Sequence, residues 1–335
     1  MRNTMHFSPV HRALAALAAC AALAFAQTRT PGEQPPASGV IRVDVELVNL
    51  LCTVQDRSGA YVTDLSQDDF TVLEDGRRQP ITHFARQTDQ ALTVALLFDV
   101  SWSMDTSLNA ESDAARQFFR SILRPGDSAM LVGFAAFVAL WQPVTSSAQV
   151  LEQSLDQVPE VGKALRDKRM SVLSKTPIPG PRGGMMIAIG GDGGSKLFDA
   201  VDLVSTRHLR QLPGRKAIIA LTDGKDEGSE RSLQEAVRST LAADAIFFGI
   251  EPKEKLGDRM DVLKELSSKT GGSAFNIDNH TTLDAALRAI EEQLRNQYAI
   301  GYAPPDTSKR GTFHKLEVRV NKPGYTVRVR SGYVR

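Results

Sequence analysis

Apolar runs in the middle of the chain alternate with segments of helical periodicity. Residues 94–98 form a short, continuous apolar run without a helical period, which predicts a strand buried on both faces. Residues 109–123 repeat apolar side chains at helical spacing, and Pro125-Gly126 ends that helix. The other predicted helices are 149–158, 197–209, 231–242, 260–269 and 281–294, and the other strands are 129–134, 137–141, 216–223 and 245–250. This order predicts the α/β class, with a doubly wound, mostly parallel sheet.

Both ends of the ordered chain carry a different pattern, in which apolar and polar residues alternate. Residues 41–90 contain short alternating segments separated by the turn signals Ser58-Gly59 and Asp75-Gly76. After the last helix, alternation returns in residues 297–302, 313–320 and 325–329. Short strands with one apolar face are only marginally stable alone. We therefore predict that residues 41–90 and 297–335 pair into one accessory β-sandwich, with the α/β domain, 91–296, inserted between them.

Polar side chains follow directly after the buried strand at 94–98. Asp99, Ser101 and Ser103 place one carboxylate and two hydroxyls on alternate residues. Open α/β sheets bind their ligands beyond the carboxyl ends of the strands. Carboxylate and hydroxyl oxygens suit a hard cation such as Mg²⁺. The segment therefore predicts a cation site, although aspartate and serine at this point also fit a capped strand-to-helix turn.

Asp99, Ser101 and Ser103 resemble the Asp-x-Ser-x-Ser signature that begins the metal-ion-dependent adhesion site (MIDAS) of the von Willebrand factor type A (VWA) domain. Residues 193–201 resemble that family's Gly-Gly-Thr-x-Leu-x-x-Ala segment, with Ser195 at the metal-binding threonine. Strand 216–223 ends on Asp223, where the family has its second acidic residue, although an Asp-Gly turn also explains it. The three segments occur in the family's order.

The resemblance implies a doubly wound VWA domain that holds one divalent cation. Its implied ligands are the side chains of Asp99, Ser101, Ser103, Ser195 and Asp223. The resemblance implies Mg²⁺ first, with Mn²⁺ or Ca²⁺ as alternatives, and a partner protein whose carboxylate completes the metal's shell. Residues 62–76, V-T-D-L-S-Q-D-D-F-T-V-L-E-D-G, also resemble the N-terminal region of exported "VWFA-related" proteins of acidobacteria.

The N-terminus has the pattern of a secretory signal peptide. Arg2 and Arg12 precede the alanine-rich apolar stretch 13–25, and Ala24-Phe25-Ala26 is an A-x-A cleavage site. We predict a signal peptide over 1–26, a disordered linker over 27–40, and export to the periplasm or the exterior of a bacterial cell. No other stretch is long and apolar enough to predict a membrane span. The alternative is a lipoprotein anchored at Cys20, because residues 17–20 resemble a lipobox.

Residues 162–194 interrupt the VWA pattern with a stretch rich in proline and glycine. The family has a shorter loop before its metal-binding threonine. We predict a mobile insertion beside the site, serving as a lid or as part of the ligand surface. Its glycines do not form a phosphate-binding loop, because Lys196 follows Ser195 instead of preceding it.

Composition and motifs exclude several functions. Across 335 residues the net charge is +1 without a basic tract, so nucleic acid is not a predicted partner. A strand-end aspartate is also the nucleophile of haloacid-dehalogenase-type phosphatases, but those need a second carboxylate where this chain has Ser101. The chain contains neither H-E-x-x-H nor G-x-S-x-G. We predict no catalytic residue, no cofactor-binding residue and no enzyme activity.

The predicted function is that of an exported protein-binding module that uses the MIDAS to bind an acidic group of a partner. The alternative is a structural scaffold in which the metal only braces the loops, and a hydrolase of unknown type is a third hypothesis. The oligomeric state is left open by the sequence.

Overall fold

The computed structural model describes residues 47–87, 90–101, 108–160, 178–179, 185–186, 188–190, 194–251, 260–277, 282–304 and 311–334. The predicted signal peptide, the linker 27–40, most of the insertion 162–194 and Ser103 lie outside these residues. The chain divides into two units, Met1–Asp44 and Val45–Arg335, and every described residue belongs to the second.

The described elements follow the alternation seen in the sequence. The strands are β1 Val48–Gln55, β2 Phe70–Glu74, β3 Arg77–Gln79, β4 His83–Gln87, β5 Leu92–Asp99, β6 Ser128–Phe134, β7 Phe137–Thr145, β8 Ile178–Pro179, β9 Met185–Met186, β10 Ala188–Gly190, β11 Arg215–Leu221, β12 Ala245–Glu251, β13 Ala274–Asn276, β14 Gln297–Tyr302, β15 Phe313–Val320, β16 Thr326–Val329 and β17 Gly332–Val334. The helices are α1 Leu108–Ile122, α2 Ala148–Leu155, α3 Leu197–Leu203, α4 Leu233–Ala242, α5 Met260–Thr270 and α6 Leu283–Arg295, and α3 continues as the π-helix Val204–Leu209.

The central sheet has the strand order β10-β7-β6-β5-β11-β12-β13. Five neighbouring strands, β6, β5, β11, β12 and β13, pair in parallel. At one edge β7 pairs antiparallel with β6, and β10 pairs antiparallel with β7. Side chains of β5 alternate between two cores: Leu96 and Phe98 pack with α1 and α6 on one face, and Ala95 and Leu97 pack with α3 and α5 on the other. All eight residues of β5 are buried, which explains its unbroken apolar run. The predicted doubly wound class is confirmed.

The N-terminal and C-terminal strands form two antiparallel four-stranded sheets, β16-β1-β14-β4 and β17-β15-β2-β3. Leu50 of β1 lies opposite Ile300 of β14, and Val72 of β2 lies opposite Val318 of β15. These four side chains share one buried core. The apolar faces of the N-terminal strands therefore pack against those of the C-terminal strands. The accessory sandwich of the predicted fold class is confirmed. The exact domain boundaries remain predictions.

Seven short strands, β3, β4, β8, β9, β10, β13 and β17, were not anticipated from the sequence. The strands β3, β4 and β17 complete the sandwich sheets, and β10, within the predicted insertion, adds an antiparallel edge strand to the central sheet beside β7. Short edge strands of this kind depend on backbone pairing more than on side-chain pattern. The central sheet therefore extends beyond what periodicity alone could indicate.

A buried polar network joins the two ends of the chain inside the sandwich. The Oε2 atom of Glu74 accepts hydrogen bonds from the hydroxyls of Tyr302, at 2.5 Å, and Tyr333, at 3.1 Å. Next to it, Asp75 Oδ2 lies 2.8 Å from His314 Nδ1. Glu74 is only 3% exposed, so the stability of its carboxylate depends on these donors.

We expect Tyr302→Phe to lower the free energy of unfolding by about 1–3 kcal/mol, because it withdraws a donor from a buried carboxylate while keeping the ring. Urea denaturation measures the change. The control is Tyr325→Phe in the same sandwich, since no hydrogen bond of the Tyr325 hydroxyl is seen among the described residues. Equal unfolding free energies for the two variants would contradict the expectation.

Candidate metal centre

Asp99 ends the central strand β5 and is fully buried. Strand β11 runs beside it in parallel, with Leu221 opposite Phe98, so the next residues of both strands meet at the same edge. Asp99 Oδ2 accepts hydrogen bonds from Thr222 Oγ1, at 2.7 Å, and from Ser195 Oγ, at 3.4 Å. Its Oδ1 accepts from the backbone amide of Ser101 at 3.0 Å. This is the switch point of the sheet, where the strand order reverses.

The second carboxylate, Asp223, lies just after β11 and is 5% exposed. Its Oδ1 accepts the backbone amide of Lys225 at 3.1 Å. Among the described residues no hydrogen-bond donor reaches its buried Oδ2, and the Lys225 ammonium stands 4.0 Å away. One carboxylate oxygen of Asp223 is therefore buried without a hydrogen-bond donor among the described residues, with only the Lys225 ammonium near it.

Burial raises the pKa of Asp99 to about 6. Hydrogen bonds from Thr222 and Ser101 act in the opposite direction, and the negative charge of Asp223 raises the pKa further. Two carboxylates close together in a desolvated place repel each other, and a bound cation removes that repulsion.

Ser195 reaches the site through a close approach of two loops. The backbone amides of Glu227 and Gly228 donate to the carbonyl of Ser195, at 3.0 and 3.2 Å. The preceding residue, Gly194, has φ +74°, and a Cβ there would lie 2.7 Å from Glu227 Cβ. Only glycine satisfies both the left-handed backbone and the contact. The glycine before Ser195 thus lets the loop after Asp223 pack against it.

Four of the five predicted ligands are described, and the fold brings them to one edge of the sheet. These are Asp99, Ser101, Ser195 and Asp223, whereas Ser103 lies outside the described residues. The sequence reading missed Thr222, whose hydroxyl holds Asp99. Its signal was available, because Thr222 is the polar residue between an apolar strand and Asp223.

The donor set fits a hard divalent cation. All described donors are oxygens, from two carboxylates and the hydroxyls of serine, and no soft sulfur ligand is among them. The buried Oδ2 of Asp223 without a donor is the kind of atom that a cation satisfies.

Glu74, Asp75 and His314 form a second group of ligand-type side chains, whose atoms lie within 4.8 Å of one another. This group belongs to the sandwich and not to the edge of the central sheet. Its atoms already bond to one another and to the tyrosines described above. We therefore assign it a structural role.

The class of protein follows from the central sheet and this edge. When the edge strand β10 is left out, the remaining strands of the central sheet have the order 3-2-1-4-5-6 along the chain. Asp99, Ser195 and Asp223 lie where that order reverses. This arrangement is a doubly wound α/β domain with an oxygen-rich site at its switch point, as the VWA resemblance implies, together with an accessory β-sandwich made of the chain's two ends. The link to acidobacterial proteins stays a prediction.

Similar folds occur among solved structures. A von Willebrand factor type A protein from Catenulispora acidiphila is 13% identical, with a TM-score of 0.47 over 79% of this chain and 73% of that one. BatB from Bacteroides thetaiotaomicron is 16% identical, with a TM-score of 0.44 over 61% and 97%. Proximal thread matrix protein 1 from the mussel byssus, with a zinc-occupied MIDAS motif, is 14% identical, with a TM-score of 0.46 over 66% and 50%.

At these identities and TM-scores the likeness concerns the fold alone. The chain spans about half the length of the mussel protein, 50% in one crystal form. No family model matches the sequence, and no curated protein matches it. Within the part of the chain that the structure describes, no helix combines the length and the apolar character needed to cross a membrane.

Proposed function

We propose that this protein is an exported binding module whose MIDAS holds a divalent cation and, through it, an acidic group of a partner protein. The observation that carries the proposal is the pair of buried carboxylates at the switch point of the sheet: the charge of Asp223 acts on Asp99, and Asp223 Oδ2 has no hydrogen-bond donor among the described residues and only the Lys225 ammonium at 4.0 Å. Structural carboxylates in a dry interior are normally paired.

Each residue has a distinct part in this proposal. The cation's ligands are Asp99, Ser101, Ser103, Ser195 and Asp223, some of them through water. Thr222 orients Asp99 through its 2.7 Å hydrogen bond. Three of these ligands are neutral hydroxyls, so only two carboxylates oppose the approach of an anion. A carboxylate of the partner would complete the shell, and Mg²⁺ suits this role because it keeps exchangeable waters.

The proposal assigns no catalytic residue and no enzyme activity. It places the mature protein, beginning at Gln27, in the periplasm or outside the cell, with lipid attachment at Cys20 as the alternative. The competing function is a scaffold in which the cation only braces the loops around Ser195 and Asp223. The two functions differ in one respect: only the binding module leaves a position of the cation open to a partner.

We expect the mature chain, immobilised in Mg²⁺ and screened against random displayed peptides, to enrich peptides with an aspartate or glutamate at one position. Binding should end in EDTA, because the peptide carboxylate bonds to the cation. It should be absent from Asp99→Asn and present in Asp127→Asn, whose carboxylate lies at the opposite end of β5, bonded to the Leu92 amide.

The scaffold function predicts a different result from the same screen. Mg²⁺ would raise the melting temperature, but no EDTA-sensitive, acid-containing peptide would be recovered. That outcome would overturn partner binding while leaving the cation site in place.

A further inference from the structure

The loop that follows Asp223 is fastened to the beginning of helix α3. We call residues 224–231 the clamp loop. Within it, Asp226 Oδ1 accepts hydrogen bonds from the backbone amide of Phe198, at 2.9 Å, and from Ser229 Oγ, at 2.7 Å. The residue before α3, Lys196, makes no side-chain cap. Asp226 therefore caps α3 from 28 positions further along the chain.

Asp199, in the first turn of α3, makes the reciprocal connection. Its Oδ1 accepts the backbone amide of Arg231 at 3.0 Å, and its Oδ2 accepts that of Glu230 at 3.2 Å. Its own amide donates to Ser229 Oγ at 3.0 Å. The helix and the clamp loop thus satisfy each other's backbone donors in both directions.

Lys196, directly after the predicted ligand Ser195, closes the connection. It is 4% exposed, and its Nζ donates to the carbonyl of Gly228 and lies 3.3 Å from Asp199 Oδ2. A buried ammonium is stable only when it is paired, so its position is set by both partners. Together with the amides of Glu227 and Gly228 on the Ser195 carbonyl, these bonds surround the Ser195 segment.

We propose that Asp226 and Asp199 are positioning residues that lock the clamp loop onto the Ser195 segment, so that Ser195 and Asp223 are presented to the cation as one unit. The proposal rests on the function proposed above. Ser195 and Asp223 come from separate parts of the chain. Ser195 lies just before α3, and Asp223 lies just before the clamp loop. Without the lock, binding a cation would require ordering both loops, and outer partners of this kind change metal affinity by about 10–100-fold.

We expect Asp226→Ala to weaken Mn²⁺ and Mg²⁺ binding at least about tenfold, measured by calorimetry on the mature chain. Asp226→Asn keeps an oxygen acceptor at the cap and should restore most of the affinity. The matched control is Asp127→Ala, which also removes an aspartate that accepts two hydrogen bonds, from the Leu92 amide at 2.7 Å and the Arg124 amide at 2.9 Å, far from the site. It should lose stability but keep its metal affinity.

A metal-free readout separates this inference from the proposed function. In EDTA, the amides of Phe198, Glu227 and Gly228 should exchange hydrogen faster in Asp226→Ala than in the wild type and in Asp127→Ala. Unchanged exchange, unchanged affinity of Asp226→Ala, or an equal loss in Asp127→Ala would overturn the positioning role. Metal binding that survives in Asp99→Asn would instead overturn the proposed cation site.

Discussion

Replacing Asp99 with asparagine is expected to abolish divalent-cation binding and to stabilise the metal-free protein. Loss of an outer partner alone weakens metal sites by about 10–100-fold, so loss of a carboxylate ligand should weaken Mg²⁺ and Mn²⁺ binding by more than about a hundredfold. Asparagine keeps the size of the side chain, and an amide oxygen can still accept from Thr222 Oγ1. Calorimetry in Mg²⁺ and Mn²⁺ measures the loss.

The stabilisation follows from the cost of ionising a buried carboxylate. The pKa of Asp99 is raised from 3.8 to about 6, which corresponds to about 3 kcal/mol at pH 7. Asparagine removes that cost but leaves the Ser101 amide without the oxygen that accepts its hydrogen bond. The lost hydrogen bond lowers the free energy of unfolding by about 1 kcal/mol. We therefore expect a net gain of about 2 kcal/mol in EDTA.

The sign of the pH dependence provides a second measurement. Because the folded state binds the proton more tightly, this group destabilises the metal-free protein as pH rises from about 4 to about 6, with no further change above. Asp99→Asn should lack that decline, and saturating Mg²⁺ should offset it in the wild type. Retained metal affinity in Asp99→Asn, or a variant less stable than the wild type at pH 7 in EDTA, would contradict this account of the site.

Tyr298→Ala is expected to unfold the accessory sandwich. The Tyr298 side chain is 1% exposed, and its ring packs against Phe70 and Phe84, with centroids 5.1 and 5.7 Å away. Its hydroxyl donates to the Val62 carbonyl at 2.8 Å and accepts the Leu65 amide at 3.1 Å. Truncating a buried aromatic side chain costs about 3–5 kcal/mol. Tyr298→Phe keeps the ring and should cost only about 1 kcal/mol.

Limited proteolysis and metal titration together test this expectation. In Tyr298→Ala, cleavage should appear first within residues 47–87, because these strands lose the partner that ties them to β14. Metal affinity should stay within about twofold of the wild type, since Tyr298 is not among the residues of the metal centre. A parallel loss of metal affinity would show that the sandwich and the α/β part unfold as one unit, and the predicted boundaries at 90 and 297 would then be wrong.

The strand-end chemistry could be predicted because it is local. An unbroken apolar run as short as 94–98 is typical of an interior strand, and the residues that follow such a strand lie at the sheet edge. Asp99 and Asp223 each follow such a run. The order of strands and helices then indicates a parallel sheet, and parallel strands bring their carboxyl ends together. The VWA resemblance assigned two aspartates 124 positions apart to one site, and a parallel sheet is the fold that places both at one edge.

Pairing of the two chain ends was predicted in outline but not in register. Alternation shows that β1 and β14 each have one apolar face, and such faces need a cover. It does not show that Leu50 lies opposite Ile300, or that the chain's last strands, β16 and β17, add to different sheets. Register depends on which residues of a distant strand the folded chain brings alongside.

By itself the sequence determined the α/β class, the buried strand β5, the sheet edge at which Asp99 and Ser101 lie, and the need of the terminal strands for each other. The resemblance to the VWA segments added Ser195 and Asp223 to that edge. Only the tertiary structure showed that Thr222 holds Asp99, that Asp226 caps α3, and that β10 extends the central sheet. The physical reason is the separation along the chain of the residues that interact. Periodicity and strand ends reflect each residue's own exposure to water, whereas a hydrogen bond between residues 28 or 123 positions apart depends on the path of the whole chain.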